Sequence, residues 1–338
     1  MTFAKPSRET SKLRIIFCGT PQFSIPTLRH VLANADFEIL GVITQPDRPR
    51  GRGQQLSISP VKEVALAAHL PVHQPQKIRA PEVQQLLEKL APDVVVIIAY
   101  GQIIPARLIS IPKYGWINLH ASLLPKYRGA APINWAIANG EARTGLTTMR
   151  IDDGMDTGDI LLQREMEIGP NETAPELAGR MAEVGAPLME ETLRGLVAGT
   201  IVPRPQNHAE ATVAPILKKE DGRIDWSRPA QEIYSRIRGL APWPGAYTTF
   251  RGQTCQPWGE PVSDLASLPL DILASQKSAA ARSAHGTLLG AKKDWFVSCG
   301  NTTLLRLQSV KLEGRRQISV LEFANGARLK PGERFGDT

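Results

Sequence analysis

Cysteine is scarce in this 338-residue chain. Cys18, Cys255 and Cys299 are too few and too widely spaced for a disulfide framework or a zinc site, which leaves buried free thiols in a reducing compartment. No run of about 18 apolar residues could span a bilayer. The opening MTFAKPSRETSK is polar and basic, without the apolar core of a secretory signal. These absences exclude a secreted disulfide scaffold and a membrane protein, and predict a cytoplasmic location with no membrane partner and no metal. Internal repeats and low-complexity tracts are missing as well. So is the G-x-G-x-x-G fingerprint: the turn after the first apolar run, Phe17 to Pro21, carries Gly19 alone. It reads as a plain tight turn, and no nicotinamide or ATP cofactor is implied.

What is present is an ordinary globular composition, 42% hydrophobic and 22% charged. The length exceeds the usual size of one core, so two domains are expected. Net charge is +7 and the isoelectric point is near 9.4, which suits a polyanionic partner without requiring one. Most of the surplus is C-terminal, since 18 basic against 13 acidic residues follow Ala209.

Three short runs, Leu13 to Cys18, Glu38 to Thr44 and Val94 to Ala99, are apolar at both alternate positions, the pattern of parallel strands covered on both faces. Between them Val83, Leu86, Leu87 and Leu90 recur at helical spacing, and Val61, Val64 and Leu66 do so less regularly. The alternation predicts an α/β fold. A longer helix follows Thr173, which pairs with Glu176 as a capping box, and Leu177, Met181, Val184 and Leu188 form its buried stripe. Periodicity lapses between Ala198 and Ala214, where Pro203, Pro205 and Asn207 mark a linker or extended connection. Beyond it a short helix around Ile233, Ile237 and Leu240 precedes short runs, among them Ala246 to Phe250, Trp295 to Ser298 and Thr302 to Val310, which predict a small β-barrel. The expected division is an N-terminal extension over 1–12, a catalytic domain over 13–200, a linker over 201–217 and a barrel over 218–338.

Trp116 to Pro125 reads as a strand entering a loop. Asn118 and His120 share one face there, beyond the carboxyl end of a parallel sheet where ligands bind. By itself such a pair is also what a buried histidine satisfied by a neighbouring amide looks like. The run 118–125 (NLHASLLP), then Arg128 to Pro132 (RGAAP), then 153–159 (DGMDTGD), resembles the signature of the 10-formyltetrahydrofolate-dependent formyltransferases in order and spacing, with Asp156 following Asn118 by 38 positions. The resemblance implies a Rossmann-like domain followed by an OB-like one, a monomer, and direct formyl transfer from 10-formyltetrahydrofolate to an amine. It implies Asn118, His120 and Asp156 as catalytic residues, with the folate against Ser122, Leu123, Leu124 and Pro125.

The residue types fit that chemistry. Amine attack on a formyl carbon creates an oxyanion, to which Asn118 and a protonated His120 can donate. Asp156 can hold His120 charged and oriented and pass the amine's proton through water. An α-amino group, with a pKa of about 7.7 to 8, needs little help to be neutral. Asp152, Asp153 and Asp159 are expected to shape the turn.

The family divides by acceptor. The loop from Thr44 to Leu56 carries Arg48, Arg50 and Arg52 among glycines and prolines. It is similar to the insertion by which some members reach a tRNA acceptor stem, where phosphates attract arginine. That implies initiator methionyl-tRNA as partner, with Arg52 as the decisive contact. In the second domain Lys218, Lys219, Arg236 and Arg238 could track an RNA backbone, and Asp225 to Ser227 and Ala241 to Pro244 resemble the family, their tryptophans read as packing residues. The competing readings are a formyltransferase acting on a small amine such as an amino sugar nucleotide, hydrolysis of the folate donor, and a non-catalytic RNA-binding protein on this scaffold.

Overall fold

The computed structural model describes residues 12–50, 55–281, 284–291 and 293–336. They form two units, neither continuous in sequence. One takes the chain up to Pro132 with Arg143–Glu167 and Ala178–Pro215; the other takes Ile133–Ala142, Ile168–Leu177 and everything from Ile216.

In the first unit the three apolar runs become β1 (Leu13–Gly19), β2 (Phe37–Ile43) and β6 (Val94–Ile98). Helices α1 (Ile25–Ala33), α2 (Pro60–Ala67) and α3 (Pro81–Leu90) are the crossovers, and a hairpin of β3 (Arg48–Arg50) and β4 (Gln55–Ser57) lies between β2 and α2. After β5 (Val72–His73), α4 (Ala106–Ile109) and β7 (Trp116–His120), the antiparallel pair β9 (Arg143–Arg150) and β10 (Ile160–Glu167) completes the sheet in the order β10-β9-β7-β6-β1-β2-β5. Strands β5 to β7 of that order pair in parallel. Every residue of β6 is buried, as a strand covered on both faces requires. Val83 and Leu87 bury the face of α3. On α2 the expected Val61 is buried, but its partner is Ala65, four positions on, while Val64 is partly buried and Leu66 half exposed.

Two dipeptide strands, β8 (Arg128–Gly129) and β11 (Val213–Ala214), pair in parallel. Arg204 bridges Ile160, and Gln206 is buried. The stretch expected as an extended connection is therefore extended but bound along its length. Helix α6 (Ala174–Ala198) opens with half of the expected capping box, the Thr173 amide and hydroxyl both donating to the Glu176 carboxylate, and buries Leu177, Met181 and Leu188.

The second unit is an antiparallel sheet of β12 (Thr248–Phe250), β13 (Gln253–Pro261), β16 (Leu304–Leu312), β15 (Asp294–Ser298) and β14 (Leu288–Ala291), with β17 (Gln317–Ser319) added to β16. Among the described residues β12 and β14 do not pair with each other, so the barrel expected from the sequence is a half-barrel. Helices α7 (Ala230–Gly239) and α9 (Val320–Ala327) accompany a core built on Trp226, Ile233, Ile237, Phe250, Phe323 and Phe335. Trp226 stacks on Phe335 at 5.6 Å and donates its indole N–H to Thr248. Trp243, also expected to pack, is 57% exposed. A helix unforeseen in the sequence, α8 (Leu270–Ala281), buries Ile272 against Leu289, Phe296 and Leu304. Among the described residues no helix is long and apolar enough to cross a membrane, and no group of three histidine, cysteine or acidic residues could hold a metal ion.

Candidate active site

Strand β7 runs between β6 and β9, with Asn118 opposite Ile97 and Met149 and His120 opposite Thr147. The period of two puts Asn118 and His120 on one face at the carboxyl end of the parallel strands. Asn118 is half-buried, and its side chain makes no hydrogen bond among the described residues. Its amide is free to donate.

His120 is 6% exposed. Its Nε2 lies 2.9 Å from the Tyr127 carbonyl, and because a carbonyl can only accept, Nε2 carries a proton here. Its Nδ1 faces Asp156 Oδ2 at 3.6 Å. That carboxylate oxygen also accepts the Gly129 amide at 2.8 Å. Asp156 has a φ of 55°, a left-handed conformation that aspartate tolerates better than most residues. The Gln206 amide donates to the Asp156 carbonyl at 2.9 Å and the Gly158 carbonyl at 2.8 Å. Arg128, almost wholly buried, donates in turn to the Gln206 side-chain oxygen through Nε and Nη2 and to His208 Nδ1 through Nη1. The loop around the carboxylate is thus fixed from behind by Gln206 and Arg128. Asp152 accepts from the Gly154 amide and the Thr157 hydroxyl, the turn-shaping part expected of it.

The loop 121–127 closes on Thr147, whose hydroxyl donates to the Ser122 carbonyl at 2.7 Å and accepts from the Leu124 amide at 3.1 Å. Gln163 Nε2 donates to the Leu124 carbonyl. The Ser122 hydroxyl donates to the Lys126 carbonyl at 2.6 Å, Leu124 is buried against Met149 and Ile160, and Leu123 rests over Gly145, where a Cβ would approach it to 2.5 Å. Ser122 and Leu124 therefore have their polar groups committed inside the protein, and Leu123 and Pro125 are partly exposed.

A cleft of about 790 Å³ lies over the ends of β1, β2 and β6, lined by Thr20, Gln45, Arg48, Lys77, Arg79 and Gln102 among others. Asn118, His120 and Asp156 do not line it; they stand at the end of the adjoining strand. Arg48 is exposed, Arg50 belongs to β3, and Arg52 lies outside the described residues. Lys218 and Lys219 are exposed. Arg236 and Arg238, expected to track RNA, instead face inward. Arg236 Nη2 donates to the Asp221 carbonyl with its guanidinium 6.0 Å from the Trp135 ring, and Arg238 is 5% exposed and donates to the Glu172 carbonyl. Sequence reading missed Thr147, Gln163 and Gln206, and the cleft cations Lys77 and Arg79. A threonine in a strand or a glutamine in an aperiodic stretch carries no local sign of such work.

Fold and site together define an α/β transferase: a Rossmann-like, mostly parallel sheet with Asn, His and Asp gathered at its carboxyl edge, and an antiparallel half-barrel. Residues 12–193 match the family described as Formyl transferase, and 216–328 match Formyl transferase, C-terminal domain. The chain belongs to the formyl transferase family. It is 51% identical over 325 residues to the methionyl-tRNA formyltransferase of Solibacter usitatus, covering 96% of this chain and 99% of that one. It is 47% identical over 324 residues to the enzyme of the same name from Geobacter metallireducens, covering 96% and 99%. Among solved structures, the sugar 3N-formyl transferase WlaRD, obtained with dTDP and 5-N-formyl-THF, aligns with a TM-score of 0.62 at 16% identity over 90% of this chain and 99% of its own. The N-formyltransferase of Helicobacter canadensis, in complex with folinic acid and dTDP-3-aminofucose, aligns at 0.60 and 18% identity over 87% and 98%. At such identities the likeness is one of fold.

Proposed function

We propose that this enzyme transfers the formyl group of 10-formyltetrahydrofolate to the α-amino group of initiator methionyl-tRNA, and so serves translation initiation. The observation that carries the reaction is the unspent amide of Asn118 on the same strand face as the Asp156-paired ring of His120. The acceptor follows from relatives named methionyl-tRNA formyltransferase at 51% and 47% identity over nearly the whole chain.

In the reaction the neutral amine attacks the formyl carbon. A new N–C bond forms, and the carbonyl oxygen takes up negative charge. Asn118 donates to that oxygen, and His120 joins by exchanging the Tyr127 carbonyl for it. The amine's proton leaves through water to Asp156. Collapse of the tetrahedral centre breaks the bond to the folate nitrogen, which takes a proton back. Ile103, 80% exposed on the cleft rim, and Met155, 58% exposed beside Asp156, offer apolar surface to the flat donor. Leu123 and Pro125 adjoin it. Arg48, Arg50 and Arg52 engage the acceptor stem, Lys77 and Arg79 extend the cationic wall beside Arg48, and Lys218 and Lys219, within the second unit, contact RNA backbone.

A labelled formyl donor incubated with charged initiator tRNA, with an amino sugar nucleotide, and with no acceptor separates the readings. Label on tRNA alone is expected. Label on the sugar would replace the acceptor, free formate without acceptor would indicate hydrolysis, and RNA retention without transfer would favour a binding scaffold. His120→Ala should lower kcat by about 10² to 10³; full activity would remove His120 from the mechanism.

A further inference from the structure

The hairpin of β3 and β4 follows a half-buried polar network that the proposed reaction does not use. Lys62, near the start of α2, points its ammonium at Asp47 Oδ2, 2.5 Å away, and at Gln74 Oε1, 2.8 Å away. Its side chain is 18% exposed and that of Asp47 is 25% exposed. The Gln74 amide donates to the other oxygen of Asp47 at 2.8 Å and to the Gln45 carbonyl at 2.9 Å. Gln45 extends the chain of bonds across the sheet edge, donating from Nε2 to the Tyr100 carbonyl and accepting from Gln102 Nε2. Gln102 in turn accepts the Ile78 amide at 2.7 Å. Both oxygens of Asp47 are thereby tied down in the residue immediately before Arg48, where the hairpin begins.

Such a cluster is not needed to hold α2 on the sheet. That helix already has Val61 and Ala65 buried and its N-terminus capped by Ser59, whose hydroxyl accepts the Lys62 amide. A half-buried charge pair completed on both sides by an amide fixes geometry more than it adds stability, and the geometry it fixes is that of the chain entering the arginine hairpin. The hydrogen bonds from Lys62 and Gln74 also hold the Asp47 carboxyl below the usual carboxylate range, which favours its charged form.

We infer that Lys62 and Gln74, acting through Asp47, are positioning residues that hold the arginine hairpin in the pose that receives the phosphate backbone of the acceptor stem. This rests on the proposed role of the hairpin in binding tRNA. Lys62 does not line the cleft; the network sets acceptor affinity and leaves the chemical step alone.

The test uses the full-length enzyme with Lys62→Met, Asp47→Asn and the pair combined. Hydrogen exchange of the β3–β4 amides reads the anchor without any RNA, and steady-state kinetics with charged initiator tRNA reads its consequence. Loss of one charge-assisted bond should speed exchange of those amides and raise KM for the tRNA at least tenfold, with kcat and the KM for the formyl donor within about twofold. The double variant should be no worse than either single one, because both break the same link. A direct phosphate contact by Lys62 would instead leave Asp47→Asn normal and overturn the inference. Unchanged amide exchange in either variant would overturn it too. Faster exchange with an unchanged tRNA KM would show that the anchor exists but that the hairpin does not read the acceptor, which removes the reading beneath the inference rather than the network. Lys62→Arg, which keeps the charge, should recover most of the lost affinity.

Discussion

Opposite His120 in the ladder stands Thr147, fully buried, with its single hydroxyl shared between the Ser122 carbonyl and the Leu124 amide. Replacing it by valine conserves shape but strands a buried amide. Thr147→Val should therefore cost about 1 to 3 kcal/mol, seen as a lower denaturant midpoint at unchanged slope. At this scale the sequence was informative about chemistry and silent about support. Asn118, His120 and Asp156 were singled out by the resemblance of the surrounding motifs to a formyltransferase signature, and the proposed chemistry, which asks for donors and a base, then accounted for the residue types. Nothing local marks Thr147, Gln163 or Gln206, whose side-chain partners lie 16 to 78 positions away. The same blindness let Arg236 and Arg238 pass for surface cations, since a guanidinium that caps carbonyls is written with the same letter as one that meets phosphate.

Among the elements, the pairing of β8 with β11 is short and exacting. Gly129 has a φ of 118°, and a Cβ there would lie 2.6 Å from the Ala214 carbonyl oxygen; its amide also holds Asp156. Gly129→Ala should destabilise the fold by more than about 1 kcal/mol and lower kcat. Gly179 is the natural control: it is exposed within α6 with nothing within 4 Å of the added methyl. Gly179→Ala should stabilise by about 0.5 to 1 kcal/mol, so thermal melts of the two variants should move in opposite directions. The strands and crossovers of the parallel sheet were legible because hydrophobic periodicity is a local signal. Whether the second sheet closes was not, because closure depends on a pairing between β12 and β14 that no local pattern reports. Residues 201–217 were legible only in part: proline and polar residues without period read as a linker or extended connection, and no local pattern reports that Gln206 bonds to the carbonyls of residues about 50 positions away.

For the whole molecule, the thiols report on each unit separately. Burial raises Cys18 well above the ordinary thiol range and pushes Cys255 and Cys299 up to about 12; Cys18 belongs to the first unit and the other two to the second. An aromatic disulfide reagent should find no reactive thiol in the native protein and all three after unfolding. If the units unfold independently, Cys18 will label at a different denaturant concentration from the other pair; coincident labelling would mean one cooperative transition.

The strap through Arg204, Gln206 and Ala214 has a practical corollary. A proline-rich, aperiodic segment between two domains is where one would ordinarily splice a tag, nick the chain or lengthen a spacer. In this protein the hydrogen bonds of Gln206 to the Asp156 and Gly158 carbonyls tie that segment to the loop that holds Asp156, so an insertion or a nick there should disturb the position of the carboxylate.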